Sequence, residues 1–183
     1  MITMVVWSLQ GCWPAAFVAG AATGIVVYDH RPAKVIASDK NVSIKIQGRL
    51  NGDEELLRDA HVTVATFNRI VLLVGQAPDE ELRSRAEGLA RTDSRIKKVY
   101  NEVTLDNPAG KRARTRDSWL TAKVKTALMT TPGLNSASLK VVTEGRVVYL
   151  MGLTSKAQGD VAAEKARSVT GVKKVVKLFE YLN

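Results

Sequence analysis

The sequence predicts an α+β fold made twice over: two tandem α-β-β-α-β domains, each a three-stranded mixed sheet packed by two helices. Three observations carry this. The apolar run Ile70-Val71-Leu72-Leu73-Val74-Gly75 returns 77 positions later as Val147-Val148-Tyr149-Leu150-Met151-Gly152. Each run leads into a stretch of helical periodicity, then a lysine pair and another apolar run, Lys97-Lys98-Val99 and Lys173-Lys174-Val175. A length of 183 residues accommodates two such units, and each is near the size where a single core is marginal. The copies are therefore expected to pack together. The predicted divisions are 1–11, 12–37, 38–106, 107–117 and 118–183.

The first 28 residues carry no charged side chain. Within them Leu9-Gln10-Gly11-Cys12 resembles a bacterial lipobox, and Cys12 is the only cysteine of the chain. A thiol there would accept a diacylglyceryl group, and cleavage would let the new N-terminus take a further acyl chain; two or more chains give stable anchoring. On this reading residues 1–11 are a short signal segment without a basic start, and 12–37 form a lipidated tether. An uncleaved membrane anchor and a buried free thiol are the alternatives, since 28 uncharged residues can span a bilayer. Pro14 and seven Gly/Ala residues at 15–24 suit a pliable tether better than a lipid-facing helix. Pro32 marks 29–37 as linker.

In the first copy, Ser38 or Asp39 is placed as N-cap. Val42, Ile46 and Leu50 then repeat at i, i+4, i+8, the core face of a helix that Asn51-Gly52 stops. Val62–Thr66 alternates and is β-branched, so it reads as a strand joined through Asn68-Arg69 to the strand 70–75. Pro78 opens a helix with Asp79, Glu80 and Glu81 in its first turn, where the dipole favours acids. Leu82, Ala86, Leu89 and Ala90 form its core side, and 99–105 is the closing strand.

Asn107-Pro108-Ala109-Gly110 signals a loop, and Lys111, Arg112, Arg114 and Arg116 make the linker 107–117 basic. The second copy repeats the order. Asp117 or Ser118 is expected to cap a helix with Leu120, Val124, Ala127 and Leu128 inward, ended by Pro132-Gly133. The strands 139–143 and 146–152 form a hairpin turning at Glu144-Gly145. A helix over 156–169 and a strand over 172–182 complete the unit.

Charge separates the copies. Residues 42–105 carry ten Lys/Arg and ten Asp/Glu, whereas 118–183 carry ten and four. The formal net charge of +9 therefore sits in the linker and second copy, which suggests a polyanionic partner: nucleic acid or an anionic membrane. Nucleic acid is disfavoured, because no G-x-x-G clamp or aromatic RNP-like strand is present. No Ser/His/Asp or Cys/His set suggests an enzyme, and solvation or helix capping explains the carboxylates at 53–55 and 79–81. No cofactor, metal site or small-molecule substrate is expected: the lone cysteine makes no metal cluster, and His30 and His61 read as solvated or locally hydrogen-bonded.

The α-β-β-α-β unit, the glycine closing each repeated run, Gly171, and segments such as 98–103, 143–153 and 169–175 resemble the BON domain. With Leu-Gln-Gly-Cys in front, the chain is similar to the dual-BON outer-membrane lipoproteins. The resemblance implies a non-enzymatic periplasmic protein, lipid-anchored at the outer membrane, that binds anionic phospholipid and supports envelope integrity. Phosphatidylglycerol or cardiolipin would be its membrane ligand, and envelope-assembly proteins further partners. It also makes the first helix of the second domain the lipid-contacting element. At about 100° per residue, Trp119, Ala122, Thr126, Met129 and Thr130 fall opposite the apolar face of that helix, with Lys123 at the margin. Trp favours the headgroup zone, and nearby cations favour an anionic surface. The expected phospholipid-binding set is Trp119, Lys123, Thr126 and Met129 with Arg112, Arg114 and Arg116. The aligned position in the first copy, Asn41, could not insert. Trp119 could instead fold back on the core edge or between the domains. The alternative function is a protein-interaction or osmotic-stress module without direct lipid binding.

Overall fold

A computed structural model describes residues 31–182; Cys12 and the anchor and signal expectations lie outside these. The described chain runs α1 (Ala33–Gly52), α2 (Glu54–Asp59), β1 (His61–Phe67), β2 (Ile70–Ala77), α3 (Glu80–Arg91), β3 (Lys98–Leu105), α4 (Lys111–Met129), a 3₁₀ turn (Ser136–Ser138), β4 (Leu139–Glu144), β5 (Val147–Thr154), α5 (Lys156–Arg167) and β6 (Lys174–Tyr181). Each copy folds as expected, with the repeated apolar strand at the centre of its sheet. β2 runs antiparallel to β1 and parallel to β3, and β5 does the same between β4 and β6. Every residue of β2 is buried, because both faces of its sheet are covered. A strand covered on both sides is a continuous apolar run rather than an alternating one, which is why this stretch stands out in the sequence.

The two copies pack sheet against sheet, so the molecule has four layers: helices, sheet, sheet, helices. Val71, Leu73, Val99 and Val103 face Val42, Ile46, Leu82 and Ala86 of the first helical layer. Val148 and Leu150 likewise face Val124, Leu128 and Ala162. The opposite sheet faces meet in a shared core of Ala65, Phe67, Ile70, Leu72 and Val74 with Tyr149, Met151 and Leu178. Polar contacts ring it: Asn68 donates to Glu180 at 2.6 Å, Gln76 to Glu144 at 2.7 Å, and Lys140 Nζ to the Thr66 carbonyl at 3.1 Å.

Several local expectations are corrected. Neither Asp39 nor Asp117 caps a helix. Both lie inside longer ones, buried, and accept hydrogen bonds from the tip of their own copy's hairpin: Asp39 from the N–H groups of Asn68 (2.7 Å) and Arg69 (3.0 Å), Asp117 from those of Gly145 (2.8 Å) and Arg146 (3.1 Å). The helices begin earlier, where the Pro32 carbonyl accepts from Val35 N and the Gly110 carbonyl from Ala113 N. Residues 33–37 are thus helical rather than linker. So are 111–117, because Lys and Arg are good helix formers and their charge leaves the helix intact. The second hairpin turns at Gly145-Arg146, not Glu144-Gly145. Both turn residues have positive φ, 56° and 66°, as do Asn68 and Arg69, the twist that two-residue hairpins favour. Gly75 and Gly152 sit within their strands, since these continue to Ala77 and Thr154. A Cβ on Gly75 would lie 1.8 Å from the His61 carbonyl oxygen, and one on Gly152 would lie 2.7 Å from that of Ser138. A short helix absent from the predicted α-β-β-α-β order, α2, is capped by Asp53 on Leu56 N, and its place in the second copy is taken by the 3₁₀ turn.

Candidate functional site

The candidate face is built on α4. Leu120, Val124 and Leu128 are buried at i, i+4, i+8 and bind this helix to its sheet, with Ala127 half-buried beside them. Buried Asp117 fixes its rotation by clasping the hairpin. The opposite face is consequently held toward solvent. Trp119 is 66% exposed and Met129 53% exposed, while Ala122, Thr126 and Thr130 are also open. Trp119 therefore does not fold back onto the core.

The helical run 111–117 changes which cations share that face. At about 100° per residue, Arg112 and Arg116 lie within about 60° of Trp119, two turns and one turn before it respectively. Both are exposed. Lys123 stands one turn beyond Trp119, half-buried, and donates to the Thr170 carbonyl at 3.3 Å. One stripe about 25 Å long thus carries Arg112, Arg116, Trp119, Lys123, Thr126 and Met129. Arg114 departs from it. It turns about 140° away from Trp119 and places Nη1 3.3 Å from Nδ1 of His61 in the first copy. His61 is accordingly neither simply solvated nor locally bonded. Burial, and then the Arg114 charge, push its imidazole below the ordinary histidine range. Sequence periodicity identified the outward stripe but gave no signal for a contact 53 positions apart.

The equivalent stripe of α1 carries Lys34, Ser38, Asn41 and Lys45, with Ile44 the large apolar residue exposed there. It lacks both the aromatic ring and the arginine pair. Among the described residues no helix is long and apolar enough to cross a membrane, and no cluster of His, Cys, Asp or Glu suits a metal ion.

The tandem architecture has a match among known families: the BON domain matches residues 38–107 and again 116–183. The chain belongs to the BON domain family. This dual-BON chain is 31% identical over 175 residues to the outer membrane lipoprotein DolP of Haemophilus influenzae, covering 96% of this chain and 91% of that protein. It is 34% identical over 154 residues to a 21 kDa hemolysin of Actinobacillus pleuropneumoniae, covering 84% and 79%. The solved structure of CdsD, a structural protein of the type III secretion system of Chlamydia trachomatis, aligns over 78% of this chain and 92% of its own at 10% identity, with a TM-score of only 0.33. The second BON match starts at 116, whereas α4 starts five residues earlier, at Lys111. The helical extension bearing Arg112 and Arg114 therefore precedes the second matched domain. The homology to DolP supports an outer membrane lipoprotein with two BON domains, and neither the family nor these relatives are named for a catalytic activity.

Proposed function

We propose that this dual-BON protein is a non-enzymatic lipoprotein on the periplasmic side of the outer membrane, that the outer face of α4 binds anionic phospholipid, and that it thereby supports envelope integrity. The observation that carries the reading is Trp119, 66% exposed on the same stripe as Arg112 and Arg116. An exposed indole has an apolar body for the acyl boundary and an N–H for the headgroups. Each cation near an anionic surface adds about 1 kcal/mol at low salt, less as salt screens it. The stripe therefore favours phosphatidylglycerol or cardiolipin over neutral lipid. An acylated Cys12 would hold the protein at the membrane, leaving α4 to select headgroups.

Co-sedimentation with phosphatidylglycerol vesicles tests this. Trp119→Glu should reduce binding by about tenfold or more, because a buried aromatic anchor is lost and a repelled charge is gained. Raising the salt should weaken the wild-type protein. Equal binding to phosphatidylcholine vesicles, or undiminished binding by the variant, would remove α4 as the site. In the latter case a protein-docking role gains weight, with Ile44 on α1 and Leu57 on α2 as exposed apolar points in the first copy.

A further inference from the structure

A second basic feature lies away from the outer face of α4, in the cleft where the two copies meet. It begins with Arg114. This guanidinium is half-buried, yet it has no carboxylate within 4.0 Å among the described residues; its one polar contact is to His61 Nδ1, 3.3 Å away. A half-buried arginine ordinarily finds a carboxylate, since removing the charge from water without an anionic partner is unfavourable. The partner here is an imidazole that cannot neutralise it.

The Arg114–His61 pair divides two cavities of unlike charge. On one side, a space of about 370 Å³ is lined by the carboxylates of Asp117 and Glu144. On the other, a cleft of about 420 Å³ has no carboxylate in its lining. Its charged walls are Arg114 from α4 and Arg58 from α2, with His61 between them in sequence and lining both cavities. Arg58 is largely in solvent and donates from Nε and Nη2 to the Asp59 carboxylate at 2.7–3.1 Å, which leaves Nη1 for a ligand at the mouth of the cleft. The rest of the wall includes Leu56, Leu57 and Pro108, and Leu57 is 63% exposed among the described residues. The volume falls in the range of small-ligand sites, which combine an apolar lining with a few convergent polar groups.

We propose that this cleft is a binding site for a phosphate group, held by Arg114 with Arg58 at its mouth, with any attached apolar portion lying on Leu56, Leu57 and Pro108. Guanidinium offers a planar fork that matches two phosphate oxygens. A bound phosphate would give Arg114 the anion that the fold withholds. The site needs both copies, because Arg58 belongs to the first BON domain and Arg114 to the helix that leads into the second. It is separate from the Trp119 stripe. The phosphate could belong to a phospholipid headgroup or be free.

NMR titration of the full chain, in a phosphate-free buffer, distinguishes these. One arm uses inorganic phosphate, the other dihexanoylphosphatidylglycerol below its micelle concentration. Saturable shifts of the His61 ring resonances are expected in at least one arm. Saturation by inorganic phosphate identifies a general phosphate site, and saturation by the lipid alone identifies a headgroup site that needs the apolar wall. Arg114→Gln should weaken binding about tenfold or more, the ordinary cost of losing a charge-assisted hydrogen bond. Arg58→Gln, on an exposed side chain, should weaken it severalfold and gives a reading even if Arg114→Gln perturbs folding. The readout is the His61 ring, on the side of α4 turned away from Trp119, so failure of the α4 membrane face would not disturb this result. Absence of a saturable His61 shift in both arms, or affinities in both arginine variants equal to wild type, would overturn the site.

Discussion

Replacing Asp117 separates two readings of one carboxylate. If it capped a helix starting at Ser118, Asp117→Ser would be nearly neutral, because serine is as good an N-cap as aspartate. In the fold it instead lies within α4, 3% exposed, and receives the Gly145 and Arg146 N–H groups at 2.8 and 3.1 Å, one on each oxygen. A hydroxyl cannot reach both. Hydrogen bonds to a charged acceptor contribute about 1.5–3 kcal/mol each, and two that share one acceptor are not additive. Water reaches the exposed turn and recovers part of the loss. Asp117→Ser and Asp117→Ala should therefore each destabilise the protein by about 3 kcal/mol, or about 6–12 °C in Tm for a domain pair of this size. Asp117→Asn keeps one acceptor oxygen and should fall between them and wild type. Urea unfolding followed by circular dichroism gives the free energies, with Asp39→Ser as the matching test in the first copy. A serine variant within about 0.5 kcal/mol of wild type, the range of an ordinary surface change, would refute the clasp and restore the cap.

The two strand glycines should respond unequally. Gly75→Ala brings a Cβ 1.8 Å from a backbone oxygen at a φ of 135°, so loss of the folded state is expected in urea melts; Gly152→Ala, with φ outside the positive range and 2.6–2.7 Å contacts partly to a movable leucine side chain, should be milder. Burial, followed by the charges of Glu102 and Glu144, pushes the Tyr149 phenol up to about 12 from its ordinary 10. A phenol that binds its proton more tightly when folded stabilises the fold below pH 10 and loses that contribution between about 10 and 12. Absorbance titration should show one late tyrosine, absent in Tyr149→Phe, and no late component in the wild type would contradict this. Residues 31–106 alone should self-associate in sedimentation velocity, because separation bares the inner faces of Phe67, Ile70, Leu72 and Val74; a stable monomer would show that the copies do not need each other.

Much of this architecture was legible in the chain because its signals are local. Two-sided burial writes β2 and β5 as unbroken apolar runs, and Asn68-Arg69 marks a two-residue turn. The i, i+4, i+8 spacing of Leu120, Val124 and Leu128 fixes which way Trp119 faces. What could not be read depends on partners distant in sequence. Asp39 and Asp117 have the residue type and position of caps, and only the hairpin 28–30 residues later shows that they serve another purpose. Arg114 looks like its neighbours Arg112 and Arg116 until the first copy comes to lie beside it.

Repetition explains why the candidate face is confined to one copy. Asp39 and Asp117, 78 positions apart, fix the same helix rotation in both domains, so α1 and α4 each present an outer stripe that no core contact constrains. The inner sheet faces cannot diverge freely, since each is the other's core. The outer stripes can. Asn41 and Ser38 on α1 stand where α4 has Trp119 and Arg116, a change of surface chemistry that leaves the packing of Val42 or Leu120 behind it intact. A fold that buries both of its sheets leaves its helices as the surface on which the copies can specialise. The strongest divergence between them, in charge and in aromatic exposure, falls there.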